Sequence, residues 1–362
     1  MASLSPNRSL KPRDLCRISP PPSSPKSSFS LTFFDFLWLR YHPVERLFFF
    51  SVPHLNPSSF FLNKSRRNAS QSCAFVPNLD SSDSFSSVLS TQITLFPNSG
   101  FCIGMSLHHG CLDGKSSSFF IKAWAHLCRT EAGNESSGLL PQKLQPFLDR
   151  EVIIDPHGIE VAYINGLFGL DPTLKKPGLK ILSDMFPPKV EDSSRATFKL
   201  KHGDLNKIKE RVLQNKTRKL LFYFPADYRD RLQHPIPETY FGNCVMPQII
   251  EIQPEDLKDE DGVVMVAKKI HRKIKKIERE KGALDGAETL FSWYSSLLND
   301  EEKQVMGIVV AGSARFCLYQ VDFGWGRPEK VEKISVYRTI TMAMAESKDG
   351  DGGVEVGLAL KT

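Results

Sequence analysis

The sequence predicts an α/β protein of two domains, and three observations carry that reading. At 362 residues the chain is long for a single hydrophobic core. An apolar, small-residue run from Gly100 to Leu107 reads as a buried strand that passes through a glycine-containing loop into an apolar run of helical length. In the second half, strand-like runs flank a segment where Val263, Val266, Ala267, Ile270, Ile274 and Ile277 keep helical spacing. A content of 41% hydrophobic and 24% charged residues is that of a globular protein.

Taken in order, residues 1–28 are rich in Ser, Pro, Lys and Arg, with Asp14 as the lone acid. They read as a disordered basic tail and edge rather than a transit peptide. Residues 29–62 are dense in aromatics and should supply a strand and a short helix. Leu31 to Phe50 comes nearest to a membrane span, but Asp35, Arg40, Pro43, Glu45 and Arg46 interrupt it. Asn63 to Ser72 is polar and structureless. Residues 86–96 form the strand before Gly100–Leu107. The helix expected over Phe119–Leu127 opens with Lys115-Ser116-Ser117. Residues 130–195 recur in Gly, Pro, Asp and Asn, as a long connection does, and divide a domain at 29–190 from one at 191–362. Arg195–Leu200 reads as a strand. Asp204 caps a helix to Leu213, and Lys219–Phe224 is a buried strand ending at Pro225. Further strands are expected at Val305–Val310 and Phe316–Tyr319. Val331–Val336 and Val354–Leu360 close the fold, with Asp349-Gly350-Asp351-Gly352-Gly353 as the final turn. No solenoid repeat is present.

The chemistry centres on Leu107-His108-His109-Gly110-Cys111-Leu112-Asp113-Gly114. A strand-to-helix corner would hold His109 rigidly while letting it face a cavity. Imidazole titrates near neutrality, which suits proton transfer, although a structural histidine beside a turn has the same spacing. His108, His109 and Asp113 are metal-ligand types. Adjacent strand residues point to opposite faces, however, and no cysteine or histidine cluster lies nearby, so no metal is expected. The net charge of +6 is modest and spread out, and suits anionic small molecules. The lysine-rich face of the Val263–Ile277 segment lacks interleaved aromatics, so no nucleic-acid partner is expected. Seven widely spaced cysteines without a C-x-x-C pair point to a reduced, cytoplasmic setting.

Two further landmarks follow the histidine loop: Tyr240-Phe241-Gly242-Asn243-Cys244 and Asp322-Phe323-Gly324-Trp325-Gly326. In this order the three resemble the motifs of plant BAHD acyl-CoA-dependent acyltransferases. The resemblance runs from Cys16-Arg17-Ile18-Ser19-Pro20-Pro21 through Leu31-Thr32-Phe33-Phe34-Asp35 to Met344-Ala345-Glu346-Ser347-Lys348-Asp349-Gly350. The Tyr240–Cys244 element is similar to the branch that acylates flavonoid, anthocyanin and other phenolic glucosides, often from malonyl-CoA.

The resemblance implies an α/β fold of two chloramphenicol-acetyltransferase-like domains around a central solvent channel. It implies a soluble monomer with no membrane and no nucleic-acid partner. No cofactor would be bound; malonyl-CoA or another acyl-CoA would be co-substrate, with a phenolic glucoside as acceptor. Coumaroyl-CoA is the alternative donor. His109 would be the general base and Asp113 a loop anchor paired with Arg229 or, second, Arg231. Asp322 would complete the catalytic set by shaping the CoA channel from a distance. Ser116, Ser117, Gly242 and Asn243 would line the donor side. The chain also departs from the family pattern. It is short between Phe61 and Phe75, between Val212 and Leu220, and after Lys361. The resemblance thus implies missing core segments, a Lys219–Phe224 strand without full cover, and a catalytically silent relative as the competing reading.

Overall fold

Aromatic residues near the N-terminus build the first layer. In the computed structural model, which describes residues 16, 18, 28–51, 67–68, 72–132, 139–170, 193–197, 220–257, 262–279, 284–290, 292, 306–335, 341–350 and 352–361, a single helical turn α1 (Phe33–Phe36) precedes β1 (Val44–Ser51). The first seven residues of β1 are buried. This strand lies inside a four-stranded antiparallel sheet in the order β3-β4-β1-β9, with β3 at Leu89–Phe96, β4 at Gly100–Leu107 and β9 at Lys330–Lys333. The register sets Val44 opposite Leu107, and Arg46 between Met105 and Lys333.

The other sheet has seven strands. Its order is β2-β5-β11-β10-β8-β6-β7, with β2 at Arg67–Asn68, β5 at Ser193–Thr197, β6 at Leu220–Asp227 and β7 at Val245–Ile252. The remaining three are β8 at Met306–Gly312, β10 at Thr341–Glu346 and β11 at Val354–Lys361. The β8 pairings with β6 and β10 are parallel and the rest antiparallel. The sheets exchange strands: β9, late in the chain, completes the first, while β2, early in the chain, edges the second. All these strands belong to the compact unit Leu31–Thr362.

The strands read at Gly100–Leu107, 86–96, Arg195–Leu200, Val305–Val310 and Val354–Leu360 are present within a few residues. Several elements differ. The motif helix runs from Gly114 to Ala132, much longer than the Phe119–Leu127 run, because its N-cap is Asp113 rather than the Lys-Ser-Ser turn. A helix at Ile159–Leu170 lies inside the expected connection. β6 continues through Pro225, which sits opposite Pro247. Its pairing with β8 ends at Tyr223, so the missing proline N–H faces an unpaired edge. No strand forms at Phe316–Tyr319. Two 3-10 turns, Ala314–Phe316 and Leu318–Gln320, meet at Cys317 in the left-handed region (φ 49), which breaks an extended chain. The final hairpin pairs β11 with β10, because Lys330–Lys333 pairs with β1 instead. Along the helix Gly262–Arg279, Val263 and Ala267 are exposed; they lie to one side of the line through Val266, Ile270 and Ile277 that faces the protein. The helix expected over Asp204–Leu213 lies outside the described residues.

Two apolar clusters flank the motif loop. One gathers Phe33, Phe34, Tyr163, Tyr228, Tyr240 and Met246; the other gathers Phe48, Phe50, Met105, Leu107, Ile121 and Phe323. Each fully buried large side chain is worth about 1.5–3 kcal/mol, so both clusters fix the ends of the loop firmly. In β6 only Leu221 is fully buried, while Phe222, Tyr223 and Phe224 remain half-buried. That pattern matches a strand whose cover is incomplete. Among the described residues, no helix is long and apolar enough to cross a membrane.

Candidate active site

The site begins where β4 ends. Its last residue, Leu107, is buried in the second cluster. The loop leaves the strand with His108 N–H donating to the Val88 carbonyl at 2.9 Å and Cys111 N–H to the His108 carbonyl at 3.1 Å. His108 turns inward, and its Nδ1 accepts from Gly110 N–H at 3.1 Å. His109 faces the other way. Its ring stacks on Trp38 at 4.3 Å with 12° between planes, and meets Tyr41 edge-on at 5.7 Å.

This setting fixes the protonation of His109. Burial is the main cause that drives its pKa down to about 3, with the charges of Lys333, His42 and His108 adding to the depression. The ring is half-buried, not sealed. Water at its open edge works against the full depression, and at neutral pH the imidazole is uncharged. Its Nδ1 has no hydrogen-bond partner.

Asp113 stands below this ring as a three-way tie. Its Oδ1 accepts from Ser116 N–H at 2.8 Å, capping the motif helix. Its Oδ2 accepts from Cys244 N–H at 3.0 Å and pairs with Arg229 Nη2 at 2.9 Å. Both side chains are almost wholly inaccessible, at 0% and 2%. Arg229 also donates to Asp227, to Ser116 Oγ and to the carbonyls of Tyr240 and Gly242. Burial alone would lower the pKa of Arg229, but Asp113 and Asp227 hold it above the ordinary range, so it stays charged. Arg231 pairs with Asp230 and donates to the Asp227 carbonyl, away from Asp113.

The residues expected on the donor side stand in the same frame. Ser116 Oγ bonds to the Gly242 carbonyl at 2.8 Å and accepts from Gly242 N–H at 3.1 Å, and Ser117 Oγ donates to the Gly114 carbonyl at 3.1 Å. A Cβ on Gly242 would come within 2.8 Å of the Arg150 guanidinium, so the glycine lets that side chain lie close against the backbone. Asn243 Nδ2 donates to the His109 carbonyl at 2.9 Å and to Asp35 Oδ1 at 2.9 Å. All four residues thus spend polar groups on protein partners. Asp322 is elsewhere: its Oδ1 accepts from Gly324 N–H at 2.8 Å and Gly326 N–H at 3.0 Å, closing its own loop. That loop turns Trp325 onto Phe50 and Phe101.

Sequence reasoning missed two participants, Asp35 and Trp38. Asp35, on α1, is fully buried, bonded to Arg150 at 2.8 Å and to Asn243, so it supports the backbone of His109 at one remove. Burial raises the Asp35 pKa, while Arg150 and the hydrogen bonds oppose the rise. Trp38 supplies the ring that stacks on His109. Its nearness in sequence to Asp35 was visible, but nothing local linked either to a loop about 70 residues later; only sheet pairing does. Among the described residues, no cluster of three or more His, Cys, Asp or Glu side chains could hold a metal ion.

The fold and loop define a class: a two-sheet α/β protein with a short His-x-x-x-Asp corner braced by a buried arginine. The profile of the Transferase family matches residues 58–151 and 206–362. The chain belongs to that family, the BAHD acyltransferases. It is 30% identical to malonyl-CoA:anthocyanidin 5-O-glucoside-6''-O-malonyltransferase of Arabidopsis thaliana, over 94% of this chain and 93% of the relative. It is 32% identical to the agmatine coumaroyltransferase of the same plant, over 79% of this chain and 68% of that protein. The malonyltransferase alignment spans 444 positions against 362 residues in the whole chain, so the relative carries internal segments that are absent here. Among solved structures, vinorine synthase superposes with a TM-score of 0.59 at 16% identity, covering 95% of this chain and 92% of its own.

Proposed function

We propose that this chain transfers an acyl group, malonyl in the first instance, from coenzyme A to a sugar hydroxyl of a phenolic, flavonoid or anthocyanin glucoside. The observation that carries this is His109 itself: an uncharged imidazole, stacked on Trp38 and held at a rigid corner by the Asp113–Arg229 tie. An alcohol is too weak an acid to attack a thioester unaided. In this reading a ring nitrogen of His109 takes the hydroxyl proton as the oxygen bonds to the thioester carbon. The tetrahedral intermediate then collapses, the C–S bond breaks, and the proton passes from imidazolium to the departing thiolate. The products are the ester and free coenzyme A. General base assistance of this kind contributes about 10²–10⁴-fold.

Asp113, Arg229, Ser116, Gly242 and Asn243 are positioning residues in this scheme, and so is Asp322 within its loop. In this reading 29–190 and 191–362 are the two halves, and the Asp113–Arg229 pair would join them. A hydroxycinnamoyl donor is the second reading. The aromatic wall of Trp38 and Tyr41 favours it, and the coumaroyltransferase is among the similar proteins.

The test is direct. Purified chain is incubated with malonyl-CoA and a flavonoid glucoside, and both thiol release and ester product are followed. Product from the parent and none from a folded His109→Ala variant supports the reading. Faster turnover of coumaroyl-CoA than malonyl-CoA moves the preference to the second. No product with any donor, from folded protein, makes the chain a silent relative.

A further inference from the structure

Two aspartate–arginine pairs with buried carboxylates connect to the histidine loop, and each receives a backbone N–H from the 240–244 element. Cys244 N–H donates to Asp113, the partner of Arg229, at 3.0 Å; Asn243 N–H donates to Asp35, the partner of Arg150, at 3.4 Å. Both guanidinium groups lie over the Tyr240 ring, Arg229 at 5.7 Å and Arg150 at 5.6 Å. Asp35 is wholly inaccessible. Its Oδ2 accepts from Thr32 N–H at 2.8 Å, Thr32 Oγ1 at 3.1 Å and Arg150 Nη1 at 2.8 Å, and its Oδ1 accepts from Asn243 Nδ2 at 2.9 Å.

The Asn243 side-chain amide has two N–H groups. One goes to Asp35 and the other to the His109 carbonyl, each at 2.9 Å. A further contact joins Asp35 to the residue whose ring stacks on His109: Trp38 N–H donates to the Asp35 carbonyl at 3.0 Å. One residue therefore holds the backbone on both sides of the stack. Arg150 comes from a segment stitched to the 240–244 element. Phe147 and Tyr240 form a parallel bridge, with Phe147 N–H on the Thr239 carbonyl and Phe241 N–H on the Phe147 carbonyl, both at 2.9 Å. The Arg150 guanidinium lies so close to Gly242 that a Cβ there would push it away from Asp35.

We propose that Asp35 and Arg150 are positioning residues for the base, and that Gly242 is the residue that admits the arginine. The pair locks the Asn243 amide, the amide holds the His109 carbonyl, and Asp35 holds the Trp38 backbone. Imidazole and indole then keep one relative orientation while the proton moves. This rests on the acyltransferase reading above. Asp35 is sealed from solvent and meets no substrate, so losing the pair misplaces the base without removing a substrate contact.

The experiment places Asp35→Asn, Arg150→Met and Gly242→Ala in the full chain and again on an Asn243→Ala background, with Arg150→Lys as the conservative variant. Steady-state kinetics with malonyl-CoA and a flavonoid glucoside are read beside thermal unfolding. Asp35→Asn and Arg150→Met should each lower kcat by about 10–100-fold while KM for either substrate moves by less than about threefold. Gly242→Ala removes no polar group and should give a smaller loss of the same kind; Arg150→Lys should restore part of the rate. On the Asn243→Ala background the losses should shrink to within about twofold, because the link to His109 is already cut. Unchanged kcat, losses that persist in full on that background, or losses confined to KM overturn the proposal and leave the pair a structural brace. A second measurement needs no turnover: the rate at which diethyl pyrocarbonate modifies His109, followed by mass spectrometry with the exposed His234 and His271 as references. Loss of the pair loosens the stack and should raise the His109 rate against both references. If the parent turns over no donor, the acyl-transfer reading fails and this rate decides alone: a rise in Asp35→Asn keeps the positioning role, and an unchanged rate refutes it. Should Asp35→Asn not fold, Asp35→Glu keeps the charge and displaces the carboxylate; a lowered kcat or a raised His109 rate there supports the proposal, and neither changing refutes it.

Discussion

Arg229 and Arg46 are both buried arginines, and they differ in how their donors are used. Arg229 meets two carboxylates, a hydroxyl and two carbonyls. Arg46 has a ring beneath it and leaves Nε and Nη2 unpartnered. In the first arrangement only Nε lacks a partner, and a ligand could reach the other donors only by breaking bonds. The second has capacity left for a partner. Burial alone therefore does not separate scaffold from site; the hydrogen-bond account does.

The largest expected effect breaks the chemistry while sparing the frame. His109→Ala should lower kcat/KM by about 10²–10⁴-fold with little change in melting temperature, read by steady-state kinetics beside thermal unfolding. A large loss of stability would show that the ring is itself part of the frame.

Next comes the frame. Asp113→Ala leaves the Arg229 charge buried without its closest partner and removes a helix cap, so unfolding should become easier by about 3–5 kcal/mol. Denaturant titration measures this. If Asp113→Ala and His109→Ala prove equally well folded and equally inactive, Asp113 acts on the histidine directly and is not an anchor.

A third, smaller effect concerns β6. Phe222, Tyr223 and Phe224 are only half-buried. The parent chain should therefore melt early or over a broad range, and inserting a family-type helical segment between Thr217 and Arg218 should sharpen and raise the transition. A sharp transition in the parent at an ordinary temperature would show that the strand has found other cover.

The smallest effect is a shift of pH profile. Because burial depresses the His109 pKa, the base stays neutral well below the usual imidazole range. The acid limb of kcat/KM should thus lie far below pH 6.5 in the parent. Trp38→Ala admits water to the ring, raises that pKa and should move the limb upward. An unmoved limb would mean that Trp38 does not set the environment of the base.

By itself the sequence determined the local facts. The strand Gly100–Leu107 and the corner at His109 follow from residue type and spacing within short stretches, while the choice of Arg229 or Arg231 as the partner of Asp113 is what the motif resemblance implied. The motif resemblance supplied the family. What only the tertiary structure decided is long-range. It selected Arg229 over Arg231, because only the former reaches beneath the motif helix. It showed that Ser116 accepts from Arg229 and that Asn243 donates to the His109 carbonyl. It brought Trp38 onto His109 and sent β9 across to pair with β1, placing Lys333 beside Arg46. Such contacts join residues tens to hundreds of positions apart. Their strength comes from burial and from satisfied polar groups, and neither exists until the sheets have assembled.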